Sequence, residues 1–146
     1  MRRSHTLDLA VWERDVIVLP ERQQPIARAI LEYVRTKLNG NAYHRSTKFR
    51  SYYDRQTIVK HAGTGFICLV ISVVPDPEDD ALYALRLDFF DKEKKIQTEL
   101  GEITEAPGTQ WPLKGERRFI VPKKATMKAV KPILDEIWAI AAVRTA

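Results

Sequence analysis

The most apolar stretch of the chain lies at residues 65–74 and reads GFICLVISVV. It is rich in β-branched residues, too short to cross a membrane, and bounded by glycine and proline, which favours a strand over a helix. Odd and even positions are both apolar, with Ser72 as the exception, so both faces of the strand should be covered. The pattern predicts the central strand of a sheet, with Val70 and Ile71 both strongly buried.

Weaker patterns on either side predict the other elements. Alternation at residues 7–11 and a short apolar run at 16–19 predict one long strand or a hairpin. Apolar residues at helical spacing predict a helix from Pro25 to Leu38, ended by Asn39-Gly40, and a C-terminal helix in which Pro132 marks a kink or the first turn. The remaining strands are predicted at residues 57–62, 83–90, 96–100 and 117–121, with turns at 63–64 and 92–95.

This order of elements predicts an α+β fold: an antiparallel meander sheet of about five to six strands, with an N-terminal helix and a long C-terminal helix packed on one face. The length favours a single domain over residues 1–146, because such a chain can bury a core of its own. The second face, which would hold Phe66, Cys68 and Val70, also needs a cover. We expect residues 41–55, residues 101–115 or a second copy of the chain in a two-fold dimer to provide it.

Composition is that of an ordinary soluble globular protein, with 45% hydrophobic and 29% charged residues. The single cysteine excludes an internal disulfide and fits a reducing compartment. No apolar segment of signal-peptide length follows the N-terminal arginines, so a cytoplasmic protein without a transmembrane segment is expected.

The net charge of +5 is unevenly distributed along the chain. Residues 41–61 carry five basic side chains against one acidic, and residues 114–131 carry seven against one. Between these two basic runs, residues 76–105 hold ten carboxylates and four basic side chains. The molecule is therefore polarised if these segments fold onto different sides, whereas the charges largely cancel if they interleave in space.

Residues 43–55 interleave cations with aromatic rings. Single-stranded nucleic acid binding requires this combination, because positive charge follows the phosphates while rings stack on the bases. The alternative is a solvated loop whose rings pack back onto the sheet. The predicted nucleic-acid-binding residues are Arg45, Lys48, Arg50, Tyr52, Tyr53 and Arg55, with the tyrosines as the stacking groups.

The histidines are the natural acid–base candidates near neutral pH. His44 lies in the basic aromatic segment and His61 at the end of a predicted strand. Neither has a second histidine or cysteine at metal-ligand spacing, so no metal site and no cofactor are predicted. The residue type favours structural or exposed roles for both over catalysis.

A second candidate is a pair of carboxylates. A tight turn at residues 92–95 would place Asp88 directly opposite Glu99 on the next strand, and like charges at that position need a compensating cation. We favour an ion-pair network with Arg86 and with Arg117 or Arg118. The more specific alternative is that the two carboxylates bind a metal ion or act as an acid–base pair.

No recognisable catalytic or cofactor motif is present in the sequence. The favoured hypothesis is a small binding module, rather than an enzyme, for an anionic partner such as nucleic acid or another polyanion. The first alternative is a small-molecule-binding protein or enzyme with a cavity between the sheet and the C-terminal helix. The second alternative is a module that binds or neutralises a protein partner through the acidic residues 76–105.

Overall fold

The computed structural model describes residues 7–44, 55–105 and 116–143 of the chain. Within these ranges, six strands form one antiparallel sheet in the order β1-β2-β3-β4-β6-β5. This is the predicted α+β fold. The elements are α1 (Leu9–Val16), a short 3-10 turn (Glu21–Gln23), α2 (Gln24–Thr36), β1 (Gly40–Tyr43), β2 (Gln56–His61), β3 (Ile67–Asp76), β4 (Asp79–Phe90), β5 (Ile103–Glu105), β6 (Glu116–Ile120) and α3 (Met127–Ala142).

The predicted central strand is β3, which pairs with β2 on one side and β4 on the other. Val70 is 3% exposed and Ile71 is 1% exposed, so the prediction that both are buried is confirmed. The strand runs past its predicted end because Pro75 is accommodated beside a register shift between Pro75 and Asp76. Bulges are among the few places where a sheet tolerates proline, whose missing N–H removes a ladder bond.

The helices cover one face of the sheet and form the main core with it. Because side chains alternate along a strand, this face receives every second residue of β3, β4 and β6. The core includes Leu69, Ile71, Leu87, Phe89 and Phe119 from the sheet, Ile30 and Val34 from α2, and Leu134, Ile137 and Trp138 from α3. Pro132 lies inside α3 and not in its first turn.

The predicted strand at residues 7–19 is wrong, because this segment contains α1. Asp8 caps the helix: its Oδ1 accepts hydrogen bonds from the backbone N–H groups of Ala10 (2.9 Å) and Val11 (3.4 Å). Trp12 and Val16, one helical turn apart, are buried in the core. The cap and the buried turn together outweigh an alternation that continues for only five residues.

Three further predictions change in detail. Residues 41–43, which show neither helical nor strand periodicity in the sequence, belong to strand β1, which pairs with β2. The predicted strand at 96–100 is not formed; Asp91 instead accepts hydrogen bonds from the N–H groups of Lys95 and Ile96 (2.9 and 2.8 Å) and holds an irregular turn. β6 then pairs with β4, and β5 forms the edge, so the meander ends at β4.

The sequence predicted one face of the sheet for Phe66, Cys68 and Val70, but Cys68 and Val70 lie on opposite faces. The register between β2 and β3 shifts next to Val59, where Cys68 is the extra residue, and its side chain joins the main core. Val70 lies on the opposite face and forms a small second apolar cluster with Tyr43 and Ile58. A bulge thus moves one side chain to the helix-covered side.

Gly40, at the junction of α2 and β1, is the glycine with the closest backbone neighbour. A Cβ at this position would lie 2.6 Å from the carbonyl oxygen of Val34 and 3.0 Å from side-chain atoms of Trp138 and Val59. We therefore expect Gly40→Ala to lower the free energy of unfolding by about 1–3 kcal/mol through overpacking. Urea denaturation followed by tryptophan fluorescence measures this change.

Gly101→Ala is the matched control, because its Cβ would meet no atom closer than 3.4 Å, the side chain of Phe119. It should leave the denaturation midpoint nearly unchanged. Equal midpoints for the two variants would show that the α2–β1 junction has room to relax.

Candidate anion-binding site

The face of the sheet opposite the helices carries polar side chains near its centre. Two rows of paired residues cross it: Ser72 lies opposite Arg86, and Val70 lies opposite Asp88. Arg86 and Asp88 in turn pair with Ile120 and Arg118 of β6. Ser72, the polar exception in the central strand, therefore marks the helix-free face.

A shared carboxylate joins two guanidinium groups on this face. Arg118 donates from Nε to Oδ1 of Asp88 (3.0 Å) and from Nη2 to Oδ2 (3.1 Å), in a bidentate pair. Nε of Arg86 lies 3.3 Å from the same Oδ1. Asp88 is 1% exposed. The predicted ion-pair network of Asp88 with Arg86 and Arg118 is thus confirmed.

The predicted partner of Asp88 among the acids is wrong. Glu99 is exposed and lies in the irregular segment after the Asp91 turn, because the hairpin that would have placed it opposite Asp88 is not formed. Arg117 points to the other face, where its Nη1 donates to Oδ2 of Asp91 at 3.0 Å. Among the described residues, no group of three or more His, Cys, Asp and Glu side chains is placed to hold a metal ion.

Arg86 is the least compensated member of the network. Its side chain is 15% exposed, and its buried Nε, 3.3 Å from Oδ1 of Asp88, makes no hydrogen bond of good geometry with any described residue. Burial is the largest influence on the pKa of Arg86 and lowers it; Asp88 raises it, Arg118 lowers it and Glu116 raises it, in decreasing order. An arginine remains charged at neutral pH, so the site holds a partly desolvated positive charge.

Arg86 and Arg118 line an open groove of about 860 Å³ on the helix-free face. Side chains of β3, β4 and β6 form its floor, and three prolines flank it. Its acidic and basic lining residues besides these arginines are Asp76, Glu78, Glu102 and Lys123. Lys123 Nζ lies 2.8 Å from Oδ2 of Asp76, and this ion pair lowers the pKa of the Asp76 carboxyl.

Of the predicted nucleic-acid-binding residues, the structure describes Arg55. Its guanidinium carbon lies 5.1 Å from the ring centroid of Tyr83, which packs against the main core, so this cation stacks within the chain itself. The predicted contacts of Arg45, Lys48, Arg50, Tyr52 and Tyr53 lie outside the described residues.

The described residues on either side of segment 45–54 lie in neighbouring strands. Tyr43 ends β1 opposite Ile58, and Gln56 starts β2 opposite Ser72, whose other partner is Arg86. These flanking residues therefore lie toward the end of the sheet that holds the groove.

The second basic run does not form a continuous surface in its described part. Arg117 and Arg118 lie on opposite faces of the sheet and pair with different buried aspartates. Lys123 pairs with Asp76, and Lys131 Nζ lies 5.4 Å from the ring of Tyr33. Alternation along β6 explains the separation of the two arginines.

Both described candidate histidines contact backbone groups. The ring of His44 is buried, with Nε2 3.2 Å from the carbonyl oxygen of Asp8 and Nδ1 3.4 Å from that of Gln56. Nδ1 of His61 accepts a hydrogen bond from the N–H of Thr64 (3.1 Å) and so holds the β2–β3 turn. These contacts fit structural roles.

Asp91 and Glu116 are among the buried acids of the described residues that the sequence did not single out. Asp91 follows the apolar end of β4 directly, which is a usual position for a turn-forming carboxylate. Glu116 is the one acid in the second basic run and starts β6. A single acid among basic residues indicates that it pairs with a nearby cation, but the sequence does not identify that cation.

No family model, curated protein or solved structure matches this chain. Within the described ranges, no helix is both long enough and apolar enough to cross a membrane. The geometry therefore defines the class of the molecule: an α+β protein whose sheet is packed by helices on one face and carries a charged groove on the other.

Proposed function

We propose that this protein is a small binding module for an anionic partner, with nucleic acid as the first candidate. The observation that supports it most is Arg86, a largely buried guanidinium that lines an open groove and shares one carboxylate with Arg118. Two cations in contact with one carboxylate favour the approach of a further anion. The single cysteine fits a cytoplasmic location for such a module.

Nucleic acid is the first candidate because of segment 45–54. Its sequence alternates basic and aromatic side chains, and its described flanks lie at the groove end of the sheet. Phosphates would be neutralised by the arginines and lysines, while tyrosine rings stack on unpaired bases. The two-fold dimer stays a prediction beside this proposal.

Titration of a labelled single-stranded oligonucleotide over a range of salt concentrations tests the proposal. If about four phosphates are neutralised, log affinity should fall with log salt at a slope of roughly −3. Arg50→Ala and Arg86→Gln should each reduce that slope by somewhat less than one unit. Tyr52→Ala should weaken binding by ~1–3 kcal/mol with little change in slope, because stacking is largely independent of salt.

Arg35→Gln is the matched control for the arginine variants, since Arg35 is an exposed arginine on α2, away from the helix-free face. It should leave affinity and slope almost unchanged. Absence of binding at low salt would contradict nucleic acid as the partner. Equal affinity for heparin, with no effect of Tyr52→Ala, would show an unspecific basic surface.

The second candidate function is binding of a small molecule. The groove has the volume of ordinary ligand pockets, about 300–1,000 Å³. It lies on the face opposite to the one predicted, because Leu134, Ile137 and Trp138 of α3 fill the space between that helix and the sheet. The third hypothesis is a protein partner bound through residues 76–105. Three buried carboxylates of this region are engaged in ion pairs within the chain: Asp76, Asp88 and Asp91.

A further inference from the structure

The donors on the floor of the groove are not all used by the protein. Arg118 uses Nε and Nη2 on Asp88. Among the described contacts, Arg86 reaches Asp88 through Nε, 3.3 Å from Oδ1, which leaves its terminal Nη1 and Nη2 outside this ion pair. These two nitrogens form the fork with which arginine binds a carboxylate or a phosphate through parallel hydrogen bonds.

A second unsatisfied group lies beside this fork. Ser72 pairs with Arg86 across the sheet and is 1% exposed, and its hydroxyl has no hydrogen-bond partner within the described ranges of the chain. A buried polar group without a partner costs free energy, so native structures rarely keep one without a reason. An oxyanion on Arg86 would supply acceptor oxygens at this place in the sheet.

The charge at the edge of the groove has the opposite sign. Glu78 and Glu102 are exposed and line it, and the nearby cation Lys123 is already paired with Asp76 at 2.8 Å. A ligand that places further negative charges against Glu78 and Glu102 would be repelled there, whereas one oxyanion at Arg86, from a small molecule or from a single phosphate of a longer chain, would not. A ligand with one oxyanion and an amino group would match both the arginines below and the carboxylates above.

We infer that the groove binds a small zwitterionic molecule whose single oxyanion, a carboxylate or a phosphate, is held by Arg86 and whose amino group faces Glu78 and Glu102. This inference rests on the proposed function, that the protein binds an anionic partner, and names the ligand chemistry of the same face. The volume of about 860 Å³ accommodates a molecule of metabolite size.

Two matched pairs of probes test the inference on the full chain. Lysine and glutamate share an α-carboxylate and differ in side-chain charge; phosphoethanolamine and glycerol 3-phosphate share a phosphate and differ in the amine. Binding is followed by the arginine Nε–Hε NMR signals, with that of Arg86 assigned by its loss in Arg86→Lys. We expect one amine-bearing probe to shift this signal saturably and to bind about five-fold more tightly than its partner without the additional amine.

The pair that responds distinguishes carboxylate from phosphate. Arg86→Gln, in which the Nε–Hε signal of Arg118 reports binding, should weaken binding at least about ten-fold, and Arg35→Gln should not, provided thermal unfolding shows both variants folded. Combined Glu78→Gln and Glu102→Gln should remove the preference for the amine while leaving the oxyanion bound. Equal or tighter binding of glutamate and glycerol 3-phosphate, or the absence of any shift, would overturn the inference.

The outcome separates this inference from the proposed function. Oligonucleotide binding without a response to any small probe would contradict the zwitterion site and leave the nucleic-acid module standing. A response to lysine or phosphoethanolamine without oligonucleotide binding would support the site and remove nucleic acid as the partner. Absence of both would contradict both.

Discussion

Ile71→Asp should abolish cooperative folding of this protein. Ile71 is 1% exposed, lies on the helix-covered face of β3, and pairs with Thr57 and Leu87 on the neighbouring strands. A carboxylate there would be buried among the apolar side chains of the main core. The expected cost exceeds about 4 kcal/mol, a large part of the 5–15 kcal/mol that stabilises a typical domain. Far-UV circular dichroism during heating measures the loss of the transition.

Two companion variants make this result quantitative. Ala81→Asp introduces the same charge at an exposed position of β4 and should change the free energy of unfolding by less than about 0.5 kcal/mol. Ile71→Ala removes apolar volume without adding charge and should cost about 2–5 kcal/mol. A soluble Ile71→Asp variant with a normal transition would show that β3 does not lie in the core.

Asp88→Ala should be the most destabilising change on the helix-free face. It removes the carboxylate that Arg86 and Arg118 share and leaves two partly desolvated guanidinium groups side by side. Removal of one partner from a buried pair costs roughly 3–5 kcal/mol, because the remaining charge is uncompensated. Urea denaturation of the variant and the wild type measures this difference.

The exposed pair of Arg28 and Glu13, whose Nη2 and Oε1 are 2.7 Å apart, is the control. Glu13→Ala should cost less than about 1 kcal/mol, since water screens the pair. A double-mutant cycle with Asp88→Ala and Arg118→Ala should show a coupling of about 0.5–3 kcal/mol. Purely additive effects would contradict a shared carboxylate as the stabilising contact.

Much of the fold was predictable because its signals are local. In α2, Ile26, Ile30 and Val34 are buried at the spacing of helical turns, and each was readable without knowledge of its partner. The central strand was equally clear, since both of its faces are apolar over most of its length. These patterns depend on the periodicity of one element alone.

The wrong predictions concern segments whose residue pattern fits two kinds of secondary structure. Leu7, Leu9 and Val11 alternate as a strand would, yet the cap at Asp8 and the burial of Trp12 favour α1. The choice depends on packing against α2, which the segment itself does not encode. Tertiary contacts therefore override a short local pattern.

In the candidate site, too, one part was predictable from the sequence and the strand pairing was not. The sequence predicted a compensating cation at Asp88, from Arg86 and from Arg117 or Arg118, because it placed the like charge of Glu99 opposite Asp88. It paired Asp88 with Glu99, because that assignment assumed a hairpin after β4. Strand pairing is a long-range choice, and the Asp91 turn directs the chain to another edge of the sheet.

By itself, the sequence determined the α+β class, the central strand, α2 and α3, because hydrophobic periodicity acts within a few residues. Only the tertiary structure decided which face the helices cover, that β6 and not β5 pairs with β4, and that Arg86, Arg118 and Ser72 meet on an open groove. These features depend on contacts between residues distant in the chain. Their free energies are realised only when the sheet and the helices assemble.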